Sequence, residues 1–370
     1  MTTPRRVAII EPHLQGPTGH YLELTRSIVA GLDPECQVHL LVSHEGVGCC
    51  EAISESIESC PTVAAIGLPR ISVFGEAARA VEFANAEVPS LILTSKGAHA
   101  LALRTSSASV TALRRISLLF HWPPRSRIDK CLHLLAGGVK THCVALATTS
   151  SIARSLSSLG WSRVREISYP VVPPRARDAP AVFSHVVMAG PLRANKGLAT
   201  LVDLVALWTT RRDSIPLQLQ VTPKHGTRHG THEARLLQQL FRQQYPHLYT
   251  RHTASDRDQY LLQYRGAICL ASYDPSLFAT QISGVGMDAI LSGAPLVVSK
   301  GTDIAHFVAE HDCGIVVPYR DVDAIDHAIS LIRSRWTHYS ENAYAAASIL
   351  AHKHAPTRFT KAWLDAAADA

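Results

Sequence analysis

The chain has 370 residues, more than one hydrophobic core usually organises, so two domains are expected. With 46% hydrophobic and 18% charged residues its balance is globular, and no apolar run reaches the roughly 18 residues of a membrane span. The net charge of +6 is mild, but its distribution is not.

In chain order, residues 5–11 read as an apolar strand that runs into Gly16-Pro-Thr-Gly19-His20. The start of the chain is too short and too soon acidic, at Glu11, for a secretory signal, which places the protein in the cytoplasm. A helix follows from about 20 to 31, with Tyr21, Leu24, Thr25, Ile28 and Leu32 on one face. Further strands are expected at 38–42, 90–93, 116–120 and 143–147, with helical segments between most of them. Such alternation argues a parallel, doubly wound sheet. The segment 169–180 holds four prolines in twelve residues and reads as a linker. The pattern then restarts. Strands are expected at 183–188, 217–221, 267–270, 296–298 and 315–317, with a helix from about 196 to 208. Helical stretches at 324–333, 343–352 and 357–368 close the chain, the last with Phe359, Trp363 and Leu364 on one side. The expected division is a domain of residues 1–170, a second of 181–340, and helices of 341–370 that pack back toward the first.

Ligands of doubly wound sheets bind at the carboxyl ends of the strands, and three loops sit there. Gly16–Gly19 is not G-x-G-x-x-G, and Leu41-Val42-Ser43-His44 offers no acid after a second strand, which disfavours a dinucleotide. Two glycines before a helix admit a phosphate or sugar, and equally make a plain tight turn. Gly190-Pro-Leu-Arg193-Ala-Asn-Lys196-Gly197 places two cations at a helix start, against the helix dipole. A bound anion resolves that conflict, Arg193 forking two phosphate oxygens and Lys196 adding a point charge. In the third loop Ser283 is a good N-cap, Gly284 and Gly286 allow close approach, and a helix N-terminus attracts anions. Asp288 stands in the second turn, within reach of a hydroxyl. Taken alone, this segment reads first as an ordinary α/β crossover. His121 closes the strand 116–120, ahead of two prolines, and is as open to a structural as to a functional reading. His20 has the same status.

The eight cysteines form no C-x-x-C pair, and Cys131, Cys143, Cys269 and Cys313 read as small hydrophobes in apolar stretches. The run His225-Gly-Thr-Arg-His-Gly-Thr-His232 reads as a loop rather than a metal site. Between Arg104 and Arg177 stand twelve basic residues, opposed only by Asp129 and Glu166. Such a stretch can meet phosphorylated substrates, nucleic acid or an anionic membrane, or be a solvated face. Aromatic residues are not interleaved with it, so a nucleic-acid platform is not expected.

These residues carry a resemblance. Gly190–Gly197 is similar to a "G-R-L-x-x-x-K-G" segment, and Asp288-Ala-Ile-Leu-Ser-Gly-Ala-Pro-Leu-Val-Val-Ser to "E-A-x-A-x-G-x-P-V-V-x-S". Both belong to the retaining "group 1" nucleotide-sugar-dependent glycosyltransferases. The likeness is best from about 186 to 334 and includes Ser255-Asp-Arg-Asp-Gln-Tyr-Leu-Leu. It implies the GT-B fold: two doubly wound, Rossmann-like domains facing an interdomain cleft. It implies a nucleotide-diphosphate sugar donor, held by Arg193 and Lys196 at the diphosphate and Asp288 at the ribose, with anion contacts from Ser283 and Gly284. It matches His121 to a histidine near the donor sugar and Gly16–Gly19 to a first-domain loop. His20 is the residue to test as a base. The family's E-x7-E pair is altered: Asp288 takes its second place and Thr280 its first, which leaves Asp274 as the candidate sugar contact. The implied reaction needs no cofactor and no metal, because the cations stand in for one. The implied acceptor is a carbohydrate or lipid-linked acceptor in bacterial surface polysaccharide or glycolipid synthesis, and the basic stretch from Arg104 to Arg177 is expected to give peripheral contact with an anionic membrane. A non-catalytic binding protein and a GT-B nucleotide-sugar epimerase are the alternatives.

Overall fold

The computed structural model describes residues 6–16, 19–68, 72–174, 180–221, 225–252 and 256–368. Pro17, Thr18, Arg175, Arg177, the middle of the proline-rich segment and Ser255 lie outside them. The chain divides into two compact units, one of residues 1–172 with 353–370 and one of residues 173–352.

The first unit is built on seven strands: β1 Arg6–Glu11, β2 Gln37–Ser43, β3 Thr62–Leu68, β4 Ser90–Ile92, β5 Ile116–Phe120, β6 Val144–Ala147 and β7 Val164–Glu166. They pair in parallel in the order β3-β2-β1-β4-β5-β6-β7. β4, β5 and β6 are buried at every position, and are apolar but for Ser90 and Ser117, as strands of a parallel sheet covered on both faces are. The strand order reverses between β1 and β4, where a doubly wound sheet opens its ligand crevice. The helix Pro356–Ala368 belongs to this unit. Its Phe359 and Trp363 are fully buried, and Thr360 donates to the Gly31 carbonyl at 2.6 Å.

The second unit carries β8 His185–Met188, β9 Leu217–Gln220, β10 Leu248–Arg251, β11 Ala267–Ala271, β12 Leu296–Ser299 and β13 Gly314–Val317. All pair in parallel in the order β10-β9-β8-β11-β12-β13. The switch point falls between β8 and β11. Trp208 is fully buried beneath this sheet and donates to Asp326 at 2.7 Å.

Four expectations change. The histidine-rich run from 225 to 232 opens a helix, His225–Arg242, with a non-helical break at Gly230, because the pattern after it is strongly amphipathic. Cys131 is exposed, since its helix turns that face outward. The helix expected from 196 starts at Leu198, after a separate turn Ala194–Lys196, because Gly197 takes a left-handed conformation. The closing helices divide, with Trp336–Lys353 lying almost wholly in the second unit.

Candidate functional site

In the second unit, the loops after β8 and β11 and the helix Gly284–Leu291 converge. Gly190 has φ +74°, and a Cβ there would lie 3.4 Å from Val285 and 3.8 Å from the Lys196 ammonium. The lysine ammonium and the first turn of the helix 284–291 thus both lie close to Gly190. Gly197 has φ +88°, and a Cβ would overlap the Ser272 hydroxyl and carbonyl. Only glycine permits this approach of the Lys196 turn to the end of β11. Asp274 N–H donates to the Asn195 carbonyl at 3.0 Å and ties the two loops together.

The charge at this point is under tension. Burial, with Arg193 second, pushes the Lys196 ammonium down to about 8. Its ammonium lies 5.5 Å from the centre of the Tyr273 ring, a weak cation–π partner. An anion placed here would relieve both the burial cost and the repulsion. Ser283 caps the neighbouring helix, its hydroxyl accepting from Gly286 N–H at 3.1 Å. A Cβ on Gly284 would meet nothing within 4 Å, so the helix start is open.

Asp288 is nearly buried and grips Arg257 through both oxygens, at 2.9 and 2.5 Å. Each oxygen keeps a second lone pair, so the arginine orients the carboxylate without exhausting it. Asp274 is set differently. It caps the turn Pro275–Phe278 and accepts from Ser276 N–H and hydroxyl at 2.9 and 2.7 Å.

The first unit brings together His20 and His121. Their rings meet edge to face at 5.8 Å, and both pack on Tyr169, whose hydroxyl bonds His20 Nδ1 at 3.1 Å. His121 is buried, and burial with His20 nearby pushes its pKa down to about 3. It is therefore neutral at physiological pH. Its bond to the Leu93 backbone uses Nδ1, because Nε2 is buried without a partner. Nε2 is then a buried acceptor left without a partner. Gly16 and Gly19 stand beside open space, with Gly19 at φ +104° ahead of His20.

Sequence reasoning assigned no role to Glu11, Tyr169, Arg257 and Tyr273. Glu11 ends β1 at the switch point, fully buried, and accepts from Thr94 hydroxyl at 2.8 Å and His13 N–H at 3.0 Å. Burial pushes it up to about 7 despite those bonds. The available signal was an acid closing an apolar strand. Among the described residues no group of three or more His, Cys, Asp or Glu could hold a metal. Nor is any described helix long and apolar enough to cross a membrane.

No family model and no curated protein matches the chain. Solved structures do. It is similar to HepE of Anabaena in complex with UDP, at 15% identity and a TM-score of 0.71, over 99% of this chain and 100% of that one. It is similar to a glycosyltransferase from Rickettsia africae ESF-5, at 11% identity and a TM-score of 0.72, over 98% of both chains. A third is sucrose-phosphate synthase from Thermosynechococcus elongatus, at 17% identity and 0.63, over 99% and 97%. At these identities the likeness is one of fold, and it is the GT-B fold that the motifs implied.

Proposed function

We propose that this chain is a metal-independent, retaining hexosyltransferase. It moves a sugar from a nucleotide-diphosphate donor to a carbohydrate or lipid-linked acceptor, in bacterial surface polysaccharide or glycolipid synthesis. The observation that carries this reading is the convergence of Lys196, Gly190 and the open start of the helix 284–291 on one point of the second unit. As the glycosidic bond to the donor breaks, negative charge develops on the departing diphosphate. Arg193, Lys196 and the helix start would stabilise it there, in the role a divalent cation could otherwise fill. Asp288, steadied by Arg257, is assigned to the ribose, and Ser283 and Gly284 to the phosphates. His121 is assigned to a hydroxyl of the substrates through its unpartnered Nε2, with His20 beside it. Asp274 remains the candidate sugar contact. Structures similar to this chain contain UDP and, in one case, UDP-glucose, which supports a nucleotide sugar as donor.

The test is transfer or donor hydrolysis with UDP-, GDP- and ADP-sugars, with and without a chelator. Turnover with one donor, insensitive to chelator, is the expected result. Arg193→Ala with Lys196→Ala should reduce it by at least a hundredfold, since each removes a charge-assisted bond worth about 1.5–3 kcal/mol. Unchanged transfer in that variant would overturn the assignment. Nucleotide binding without turnover on any donor would instead favour the non-catalytic reading, which the Thr280 departure already motivates.

A further inference from the structure

We infer that the outward face of the helix Arg127–Leu135 docks on an anionic lipid bilayer. The helix has nine residues, about 13 Å of length. One side of it is committed to the fold. His133 is fully buried, and Asp129 turns inward to accept from Gly97 N–H at 2.9 Å. The other side is not. Ile128, Leu134 and Leu135 are 75%, 59% and 53% exposed, and Trp122, just before the helix, is 41% exposed. Scattered exposed apolar residues need no explanation, but these are clustered. Four of the thirteen exposed large hydrophobics among the described residues fall between 122 and 135.

The same face carries cations only. Arg125, Arg127 and Lys130 are exposed. At 3.6 residues per turn, Arg127, Ile128, Lys130, Cys131, Leu134 and Leu135 share an arc of roughly 160°. Asp129 is the sole acid from Arg104 to Arg165, and it points inward. An apolar centre rimmed by Lys and Arg is the pattern of a helix that lies in a membrane interface. Its apolar side chains enter the acyl boundary while the cations stay at the headgroups. The one-sided charge decides the occupant. A second copy seated on this face would oppose cation to cation, and a nucleic acid would gain nothing from three exposed aliphatic chains. An anionic bilayer satisfies both features at once.

The test uses the full chain and vesicles of phosphatidylcholine with or without half phosphatidylglycerol, read by co-sedimentation. It needs no donor, acceptor or turnover, so its failure and that of the glycosyltransferase reading are distinguishable. The wild type should partition at least tenfold more strongly to the anionic vesicles and be released by salt. Ile128→Ser with Leu134→Ser and Leu135→Ser should lower partitioning at least tenfold. So should Arg127→Gln with Lys130→Gln, which alters no apolar contact and keeps the test decisive if the serine variant misfolds. A wild type that stays in the supernatant with both vesicles overturns the proposal, as do variants that sediment like wild type. A wild-type dimer that the serine variant converts to monomer also overturns it, assigning the face to a second copy.

Discussion

Lys196 is a cation that the fold holds at a cost until an anion arrives. Burial sets its pKa at about 8, against 10.5 for the ordinary side chain. Its folded value is the lower one, so the unfolded chain binds more protons between those limits. Stability from this group therefore rises with pH across that window. Binding has the opposite sign, because a diphosphate favours the charged form. Titrating nucleotide diphosphate by calorimetry at pH 9, in buffers of different ionisation enthalpy, should show uptake approaching one proton. The uptake should vanish in Lys196→Met, and affinity should fall as pH rises above 8. Glu11 is the mirror case. Its folded pKa of about 7 exceeds the ordinary 4.5, so the folded chain holds the extra proton between those values. Stability is lost as pH rises through 4.5 to 7, by about 3 kcal/mol in all. Urea unfolding of the first unit should show that slope, and Glu11→Gln should flatten it.

At the scale of elements, two glycines in neighbouring segments separate fold from ligand. Gly197 is strained for any other residue, and a Cβ there would strike Ser272 backbone. Gly197→Ala should lower stability by about 2 kcal/mol or more, seen as a lower melting temperature. Gly284 is a first-turn helical position beside open space. Gly284→Ala should leave melting unchanged and weaken nucleotide binding, because the methyl group fills the place a phosphate would take. A matched loss of stability in both variants would remove Gly284 from the site. The central strands were legible because burial on both faces leaves mainly apolar runs, while β9, Leu-Gln-Leu-Gln, was legible by alternation. The strands that escaped, β3, β7 and β10, are three of the four sheet edges, where one side is bare and the residues are small or polar: Val-Arg-Glu in β7, Leu-Tyr-Thr-Arg in β10. The loops with glycine and paired cations could be read because their chemistry conflicts with their position. Tyr169 and Arg257 could not, and Glu11 only as an acid closing an apolar strand, because what marks them is a partner far along the chain. Thr94 is 83 residues from Glu11, His20 149 from Tyr169, and Asp288 31 from Arg257.

For the whole molecule, the boundary matters more than the linker. The chain leaves the first unit at Val172 and returns to it at Lys353, so the last helix completes a core whose sheet was laid down before it. Phe359 and Trp363 are fully buried there, with the helix packed on the helix 20–30 and on β5 and β6. Truncating a buried aromatic costs about 3–5 kcal/mol, a large share of a domain's stability. Trp363→Ala should therefore destabilise residues 1–172 although it lies near the end of the chain. Hydrogen exchange can tell the units apart. Amides of β1, β4, β5 and β6 should lose protection in the variant, while β8, β11 and β12 keep theirs. Equal loss in both sheets would mean that the units unfold as one. Loss in neither would mean that the helix is an appendage, against its burial. The same logic assigns the motifs, since both phosphate-directed loops lie wholly within 173–352. Nucleotide affinity should accordingly survive Trp363→Ala at temperatures below the melting of the first unit, even where transfer fails.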